Sequence, residues 1–234
     1  MSSEIITPFK TDYLKGNIYD KKLNDSIIEE IYKTEKNEKS TKQTNAGINS
    51  YQSPLRDMKN LPECMLELFN KMFPMIIPYI KHMGIKKPFS ISCNELWYNI
   101  NRKHAFNSIH RHVHSHFSFV YFAKSEGDDS GFLTLYNPDE GLEINHFMVG
   151  VANDGHLNMQ PNNCFRWSIV PEPGTFVVFP SHIKHSVEVN AKDSDRISLA
   201  GDFFCMVKDR EIDRETLKND KDPKWVVNQL GNMI

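Results

Sequence analysis

The stretch NSIHRHVHSHFSFVYF, from Asn107 to Phe122, places histidines at every second position and then continues into an aromatic and apolar run. In a β-strand, residues i and i+2 point to the same face, so His110 and His112 project side by side. Two imidazoles at that spacing can bind one metal ion, whereas a helical ligand pair would stand four residues apart. We therefore predict a strand that carries part of a metal site, with a metal-free, histidine-rich edge strand as the plainer alternative. His114 and His116 would share that face only in a straight strand, so we expect them to turn toward solvent or behind the ligands.

The sequence around this stretch is typical of a β-rich fold. From Phe89 onward, short β-branched or aromatic runs such as GFLTLYNP and GTFVVFP are separated by clusters of Gly, Pro, Asn and Asp. Seven or eight such runs follow two helical patterns. The sequence therefore predicts a mainly β fold, a double-stranded β-helix (jelly roll, cupin-like) with supporting N-terminal α-helices.

Two helices are predicted before the strands. Residues 20–36 carry an apolar repeat through Leu23, Ile27 and Ile31, and Asp20 or Asn24 could cap its start. A polar loop follows over 33–54, and a second helix is predicted to start near 61–62. The apolar stripe predicted for that helix comprises Met65, Leu68, Phe69, Met72, Phe73 and Ile76. We expect residues 1–88 to pack on a catalytic barrel formed by 89–208, with a charged, helical segment at 209–234, all within one structural domain.

Composition excludes several classes of partner. The chain has 234 residues, 39% hydrophobic and 25% charged, with a formal net charge of -2, so it lacks the basic footprint of a general nucleic-acid binder. No apolar run is long enough to span a membrane, and no secretory signal pattern opens the sequence. Its four scattered cysteines indicate reduced thiols rather than a disulfide framework. These features predict a cytoplasmic protein with no membrane partner.

A third metal ligand is predicted from the segment PGTFVVFPSHIKHSVEV, which runs from Pro173 to Val189. A strongly apolar strand ends in a turn, and His185 opens the next strand. A histidine at a strand start lies at a barrel mouth, where it could join His110 and His112. His182 competes for this role, but it lies within the turn and is expected to be exposed.

Arg196 and Ser198 indicate a second binding group beside the metal. The turn at 190–195 is predicted to join HSVEV and RISLA as a hairpin, which places Arg196 about four residues, roughly 13 Å, along the barrel from His185. The planar fork of an arginine binds a carboxylate through two hydrogen bonds, and Ser198 could donate a third. An extended five-carbon dicarboxylate would span the gap once the Arg196 and His185 side chains reach toward each other. The alternative is an Arg196 that faces outward as an ordinary surface charge.

Together these motifs resemble the 2-oxoglutarate and Fe(II)-dependent dioxygenase superfamily. The chain is most similar to the prolyl-hydroxylase-like branch that contains many bacterial and phage 2OG-Fe(II) oxygenases. That branch carries W-x-N, N-x-x-H-x-H, S-G-x-x-Y, a Gly-to-Pro segment, a motif ending F-P-S-x-x-x-H, and R-x-S. The matching positions are Trp97, Asn99, Asn107, His110, His112, Ser118, Tyr121, Gly131, Pro138, Pro171, Gly174, Phe179, Pro180, Ser181, His185, Arg196 and Ser198.

The resemblance implies a hydroxylase that uses Fe(II), 2-oxoglutarate and O2 and releases succinate and CO2. It implies Fe(II) held by His110, His112 and His185, and 2-oxoglutarate held by Arg196 and Ser198. The resemblance further implies helpers for the co-substrate at Tyr136 or Asn99, and pocket residues at Asn107, Trp97, Phe119, Tyr121, Phe179 and Val187.

Two positions depart from the pattern of the family. His112 stands where the wider superfamily has an Asp or Glu ligand, which leaves the metal site one negative charge poorer and could suit another metal. Phe119 stands where the most similar branch usually has glycine, which is expected to narrow the pocket.

Two other functions are consistent with the same residues. A three-histidine, cupin-type dioxygenase would use the metal without 2-oxoglutarate and would have no need of Arg196. A metal-stabilised jelly roll that only binds or assembles would need no open coordination positions. The substrate stays open between a peptidyl side chain, a free amino acid and a nucleotide, because the predicted loops at 38–60 and 137–172 carry no readable motif. A homodimer also stays open.

Overall fold

A computed structural model describes residues 11–41, 49–85, 89–139 and 164–207. The helices are α1 (Lys21–Asn37) and α2 (Glu63–His82). The strands are β1 (Leu14–Asn17), β2 (Ser50–Gln52), β3 (Phe89–Asn101), β4 (Asn107–His110), β5 (Phe117–Lys124), β6 (Leu133–Tyr136), β7 (Arg166–Ile169), β8 (Thr175–Pro180), β9 (His185–Val187) and β10 (Arg196–Val207). The predicted segment 209–234 and most of the predicted loop 137–172 lie outside the described residues.

Helix α1 forms where the apolar repeat predicts it. The Asp20 side chain accepts a hydrogen bond from the Leu23 backbone N–H at 3.1 Å, so Asp20 is the N-cap. Leu23, Ile27 and Ile31 are all buried. Asn24, the alternative cap, lies inside the helix instead and donates to the carbonyl of Ala123 at 2.9 Å, which ties the helix to β5.

Helix α2 begins directly after Pro62, and all six residues of its predicted stripe are buried. They form one apolar core with α1 and with one face of a sheet. Within the described ranges, neither helix combines the length and the hydrophobicity that crossing a bilayer requires.

Two antiparallel sheets form the barrel. The six-stranded sheet has the order β1-β8-β5-β10-β3-β2, and the four-stranded sheet has the order β4-β9-β6-β7. A second apolar core lies inside the barrel. Successive residues of β10 alternate between the two cores: Leu199 belongs to the helix-facing core and Ala200 to the interior. The predicted mainly β, double-stranded β-helix class is confirmed.

Two features of the topology differ from the prediction. Strands β9 and β10 do not form a hairpin, because β9 pairs with β4 and β6 while β10 pairs with β3 and β5. The turn at 190–195 therefore crosses from one sheet to the other. The N-terminal third also supplies more than helices, since β1 and β2 form the two edges of the six-stranded sheet.

Replacing Ile27 with alanine is expected to lower the free energy of unfolding by about 2–5 kcal/mol, because a fully buried aliphatic side chain is lost. Denaturant unfolding measures the change. Ile109→Ala is the matched control: Ile109 is 56% exposed, and its loss should stay within about 0.5 kcal/mol. Equal losses in the two variants would contradict the packing of α1 on the barrel.

Candidate metal centre and cavity

The three histidines predicted as ligands come together at one end of the barrel interior. His110 on β4 pairs directly with His185 on β9, and their ring centroids are 4.2 Å apart. The His112 ring lies 5.3 Å from that of His110 and 5.1 Å from that of His185. One ring nitrogen of each residue lies within 4.8 Å of the corresponding atoms of the other two.

The route by which His112 reaches this cluster differs from the prediction. Strand β4 ends at His110, so His112 is not in the same strand. Its backbone N–H donates to the carbonyl of Ser181 at 2.9 Å, in the turn that follows β8. The rings of His110 and His112 still come together. The position of His112 is set by this hydrogen bond to Ser181 and not by a continuous strand.

Each of the three imidazoles is oriented by an acceptor at its Nδ1 atom. Nδ1–H of His110 donates to the Ser108 carbonyl at 2.8 Å, and that of His185 donates to the Ile183 carbonyl at 3.1 Å. Nδ1–H of His112 donates to the Asp202 carboxylate, at 2.8 Å to Oδ1. This arrangement leaves each Nε2 lone pair available, which is the state in which imidazole binds a metal.

Burial favours the neutral, metal-binding form of two of these rings. Desolvation, with the neighbouring His110 adding to it, lowers the pKa of His185 to about 3. Burial also lowers the pKa of His110. Because a metal binds only the unprotonated ring, these two ligands are held ready for it.

The other histidines of the two motifs stand apart from the cluster. His116 accepts the Cys205 backbone N–H at its Nδ1, at 3.0 Å, and its ring packs on Phe204. His114 and His182 are exposed, as expected. In the part of the chain that the structure describes, the metal-type cluster is therefore His110, His112 and His185.

A cavity of about 300 Å³ extends from the three histidines into the barrel, a volume suited to a small ligand. Arg196, Ser198, Ala200 and Asp202 line it as successive inward residues of β10. Arg196 stands at the start of this series, and Asp202, which is hydrogen-bonded to His112, stands at its end. The cavity thus has an arginine end and a metal end.

Arg196 is the charged group at the closed end, and only 1% of it is exposed. Its Nη1 donates to the Gly131 carbonyl at 3.0 Å and its Nη2 to Asn101 Oδ1 at 2.9 Å, whereas its Nε has no hydrogen-bond partner. Both acceptors are neutral, and burial lowers the pKa of Arg196 to about 9. A buried cation that lines a cavity and has no anionic partner fits an incoming carboxylate.

Several other predicted residues also line the cavity. Ser198 and Asn99 are cross-strand partners on β10 and β3, so both stand near Arg196. Asn107 accepts from Asn101 Nδ2 at 3.1 Å and so continues the polar network around the guanidinium. The lining further includes Trp97, Phe179 and Val187. Phe179 packs edge-on against His185, and Trp97 packs 5.5 Å from His112.

Tyr136 is not brought to the cavity, contrary to the prediction. On β6 its neighbour Leu135 pairs with His185 and belongs to the barrel interior. Tyr136 therefore points to the other face, where its hydroxyl lies 3.1 Å from Ser186 Oγ. The structure does not support Tyr136 as a helper for the co-substrate.

Two aromatic residues predicted as pocket walls face the helices instead. The Tyr121 hydroxyl donates to Asn24 Oδ1 in α1. The Phe119 ring stacks on Phe203 at 4.7 Å, on the helix-facing side of the sheet. Val120, between them in sequence, is the wall residue from β5.

Phe119 is among the residues that line the cavity, but its ring packs toward the helices and therefore does not narrow the pocket. Its pairing partner on β10 is Gly201, and a Cβ added there would lie 2.5 Å from Phe119 Cε1. The side chain that replaces the family's usual glycine is thus accommodated by a glycine on the neighbouring strand.

Two polar residues of the site that the sequence reasoning missed are Asp202, which lines the cavity, and Asn101, which accepts a hydrogen bond from the Arg196 guanidinium. Both belong to series of alternate residues that the sequence analysis had already identified in part. Asn101 follows Trp97 and Asn99 at steps of two. Asp202 follows Arg196, Ser198 and Ala200 in the same way. Extending the period of two along RISLAGDFF would have predicted an inward-facing carboxylate.

Comparison with known families agrees with this site. Residues 95–202 match a family model described as "Putative 2OG-Fe(II) oxygenase". This segment therefore resembles the 2OG-Fe(II) oxygenase family. It contains the three clustered histidines and Arg196, and it confirms the enzyme class predicted from the sequence. The predicted cofactors, Fe(II) and 2-oxoglutarate, are the pair that the family description names. No curated protein matches the chain.

Solved structures of 2OG-Fe(II) oxygenases share the fold at low sequence identity. A prolyl-4-hydroxylase from Pseudomonas putida is 15% identical, with a TM-score of 0.57 over 83% of this chain and 92% of its own. The alpha-ketoglutarate-dependent carbocyclase SnoK from nogalamycin biosynthesis is 8% identical, with a TM-score of 0.59 over 94% and 91%. HygX from Streptomyces hygroscopicus, with nickel and 2-oxoglutarate bound, is 8% identical, with a TM-score of 0.54 over 83% of each chain. At these identities the likeness concerns the fold of the oxygenase.

Proposed function

We propose that the protein is an Fe(II)- and 2-oxoglutarate-dependent oxygenase that hydroxylates a C–H bond of its substrate. Fe(II) would be held by His110, His112 and His185. When bound there with 2-oxoglutarate, the metal activates O2, so that one oxygen atom enters the product hydroxyl and the other enters succinate as CO2 leaves.

The observation that carries the proposal is the pairing of two features in one cavity. Three histidines present free Nε2 atoms at one end, and the buried Arg196, whose Nε has no hydrogen-bond partner, lines the other. A metal alone would explain the histidines. A dicarboxylate that reaches from the metal to the guanidinium explains both ends, with Ser198 and Asn99 beside its distal carboxylate.

This pairing disfavours the two rival functions. A three-histidine dioxygenase without 2-oxoglutarate would leave Arg196 buried without an anion, which is costly. A metal-stabilised binding module would have no use for a cavity of about 300 Å³ between metal and arginine. The apolar walls, Phe179, Val120 and Val187, also suit a site that excludes water during oxidation.

Coupled assays of the Fe(II)-loaded protein test the proposal. With O2, 2-oxoglutarate and a panel of peptides, amino acids and nucleotides, we expect succinate to form in step with 2-oxoglutarate consumed, and to stop when Fe(II) is chelated. O2 uptake without loss of 2-oxoglutarate would favour the three-histidine dioxygenase. Neither O2 uptake nor 2-oxoglutarate loss across the panel would favour the binding module.

The cellular setting and the partners are proposals as well. We propose a cytoplasmic protein that acts on a small-molecule or peptidyl substrate. The four cysteines support a reducing compartment, since Cys64, Cys93, Cys164 and Cys205 are all free. A homodimer is compatible with this proposal, and size-exclusion chromatography with light scattering measures it.

A further inference from the structure

The three predicted ligands of the metal site include no carboxylate. A carboxylate nevertheless lies directly behind one of its histidines. His112 occupies the position of the superfamily's Asp or Glu ligand, yet its Nδ1 lies 2.8 Å from Asp202 Oδ1 and 3.0 Å from Oδ2. We infer that Asp202 is a positioning residue that orients His112 and supplies the metal centre with the missing negative charge through that hydrogen bond. The inference rests on the proposed function, because it assumes a metal on His112.

Asp202 is built into the barrel rather than placed at its surface. It lies on β10 with its side chain toward the cavity, and the residue is 5% exposed. A buried carboxylate is costly unless donors surround it. Here the donors are His112 and Ser118, whose Oγ donates to Asp202 Oδ1 at 2.6 Å.

A chain of hydroxyls holds this carboxylate in place. With its proton directed to Asp202, Ser118 Oγ accepts from Ser181 Oγ at 2.9 Å, and Ser181 Oγ in turn accepts from Ser115 Oγ at 2.8 Å. Ser181 additionally accepts the His112 backbone N–H through its carbonyl. Ser181 therefore fixes the main chain of His112, and Ser118 fixes Asp202, the acceptor of the His112 ring. Their arrangement gives His112 one orientation, with Nε2 toward His110 and His185.

The electrostatic consequence follows from the hydrogen bond. A carboxylate that accepts Nδ1–H of a ligating imidazole increases the basicity of that ligand, and loss of such a partner typically costs about 10- to 100-fold in metal affinity. The three-histidine cluster with Asp202 then carries the same formal charge as two histidines and a carboxylate. The carboxylate lies on the far side of the His112 ring instead of binding the metal directly.

A second carboxylate in the cavity offers a matched comparison. Glu95 is the cross-strand partner of Asp202 on β3 and also lines the cavity. The residue is exposed, and partial desolvation of its carboxylate, with Asp202 nearby, raises its pKa. No hydrogen bond from its side chain to a histidine of the cluster is present among the described residues. Glu95→Gln thus removes the same charge from the same cavity without touching His112.

The experiment compares Asp202→Asn, Glu95→Gln and Ser118→Ala with the wild type, all purified metal-free. Co(II) affinity is measured by competition with a coloured chelator, and the Fe(III)/Fe(II) midpoint potential by mediated titration. We expect Asp202→Asn to weaken Co(II) binding by about 10- to 100-fold and to make the potential more positive. Glu95→Gln should change the affinity by about fivefold at most, as a solvent-screened charge does.

Ser118→Ala separates the electronic role from simple damage. It removes a competing donor from Asp202 and leaves the charge, so His112 keeps its acceptor and the potential should stay unchanged or become more negative. A potential that becomes more positive in Asp202→Asn but not in Ser118→Ala supports the inference, and a positive shift in Ser118→Ala would overturn it even if Asp202→Asn is poorly folded. Wild-type affinity and potential in Asp202→Asn would overturn it, as would parallel shifts in all three variants. A wild-type protein that binds neither metal would overturn this inference and the proposed function together, whereas the other outcomes leave the proposed function standing.

Discussion

Arg196→Met is expected to weaken 2-oxoglutarate binding to the Fe(II)-loaded protein by about 100-fold or more while leaving metal binding in place. The buried guanidinium is the cation that would meet the distal carboxylate, and removing one partner of a buried charged pair costs about 2–5 kcal/mol. Its hydrogen-bond partners are both neutral and its Nε has none, so no anion in the described residues already neutralises it. Anaerobic titration calorimetry with 2-oxoglutarate measures the loss.

Two comparisons make this prediction specific. Arg102→Met is the matched control, because Arg102 is paired with Glu35 at 2.6 Å and does not line the cavity. It should bind 2-oxoglutarate as the wild type does. The analogue 2-oxobutyrate, which lacks the distal carboxylate, should bind the wild type weakly and Arg196→Met about equally weakly. Full discrimination between the two oxoacids in Arg196→Met would contradict the assigned role.

His185→Ala is expected to weaken Co(II) or Fe(II) binding by at least about 100-fold, the upper end of what loss of an outer partner of a metal ligand costs. His185 is the central ligand of the cluster, since its ring lies within 5.1 Å of both other rings. Burial also holds it in the neutral form that a metal requires, with its pKa lowered to about 3. Metal titration monitored by calorimetry tests this expectation.

His182→Ala provides the control from the same turn. His182 is exposed, and it precedes His185 by three residues. Its loss should leave metal affinity unchanged. If both variants bound metal as the wild type does, His185 would not be a ligand, and the alternating histidines would need another explanation.

The metal cluster could be predicted from the sequence because ligands leave a local signal. Histidines two apart before an apolar run indicated His110 and His112, and a histidine at a strand start indicated His185. The structure brings these three together, although His112 arrives through a hydrogen bond to Ser181 rather than along a strand. Arg196 was predicted from a hairpin between HSVEV and RISLA; that hairpin is wrong, but Arg196 still lines the cavity.

The direction of side chains in β5 could not be predicted, for a physical reason. Seven of the eight residues of β5 are buried, because helices cover one face of its sheet and the barrel interior lies on the other. A strand buried on both faces shows no apolar and polar alternation. Tyr121 and Phe119 were therefore assigned to the wrong face, while Val120 was overlooked.

The strands with which β9 pairs also could not be predicted from the sequence. A short turn rich in Asn, Asp and Ser is typical of a hairpin. In this fold the same turn links the two sheets, and Asn190 stabilises the crossing by donating to the carbonyls of Asn101 and Ser194 at 2.9 Å each. Local turn chemistry predicts that the chain reverses, but which strand it then joins depends on distant segments.

Anaerobic titration of the Fe(II)-loaded wild-type protein with 2-oxoglutarate tests the central claim most directly. We predict that a weak visible charge-transfer band, the mark of 2-oxoglutarate chelated to Fe(II), appears and saturates. The same titration of Arg196→Met should show the band only at far higher concentrations. Bound iron with no band at any concentration of 2-oxoglutarate would contradict the account, because the metal and the arginine would then not share a co-substrate.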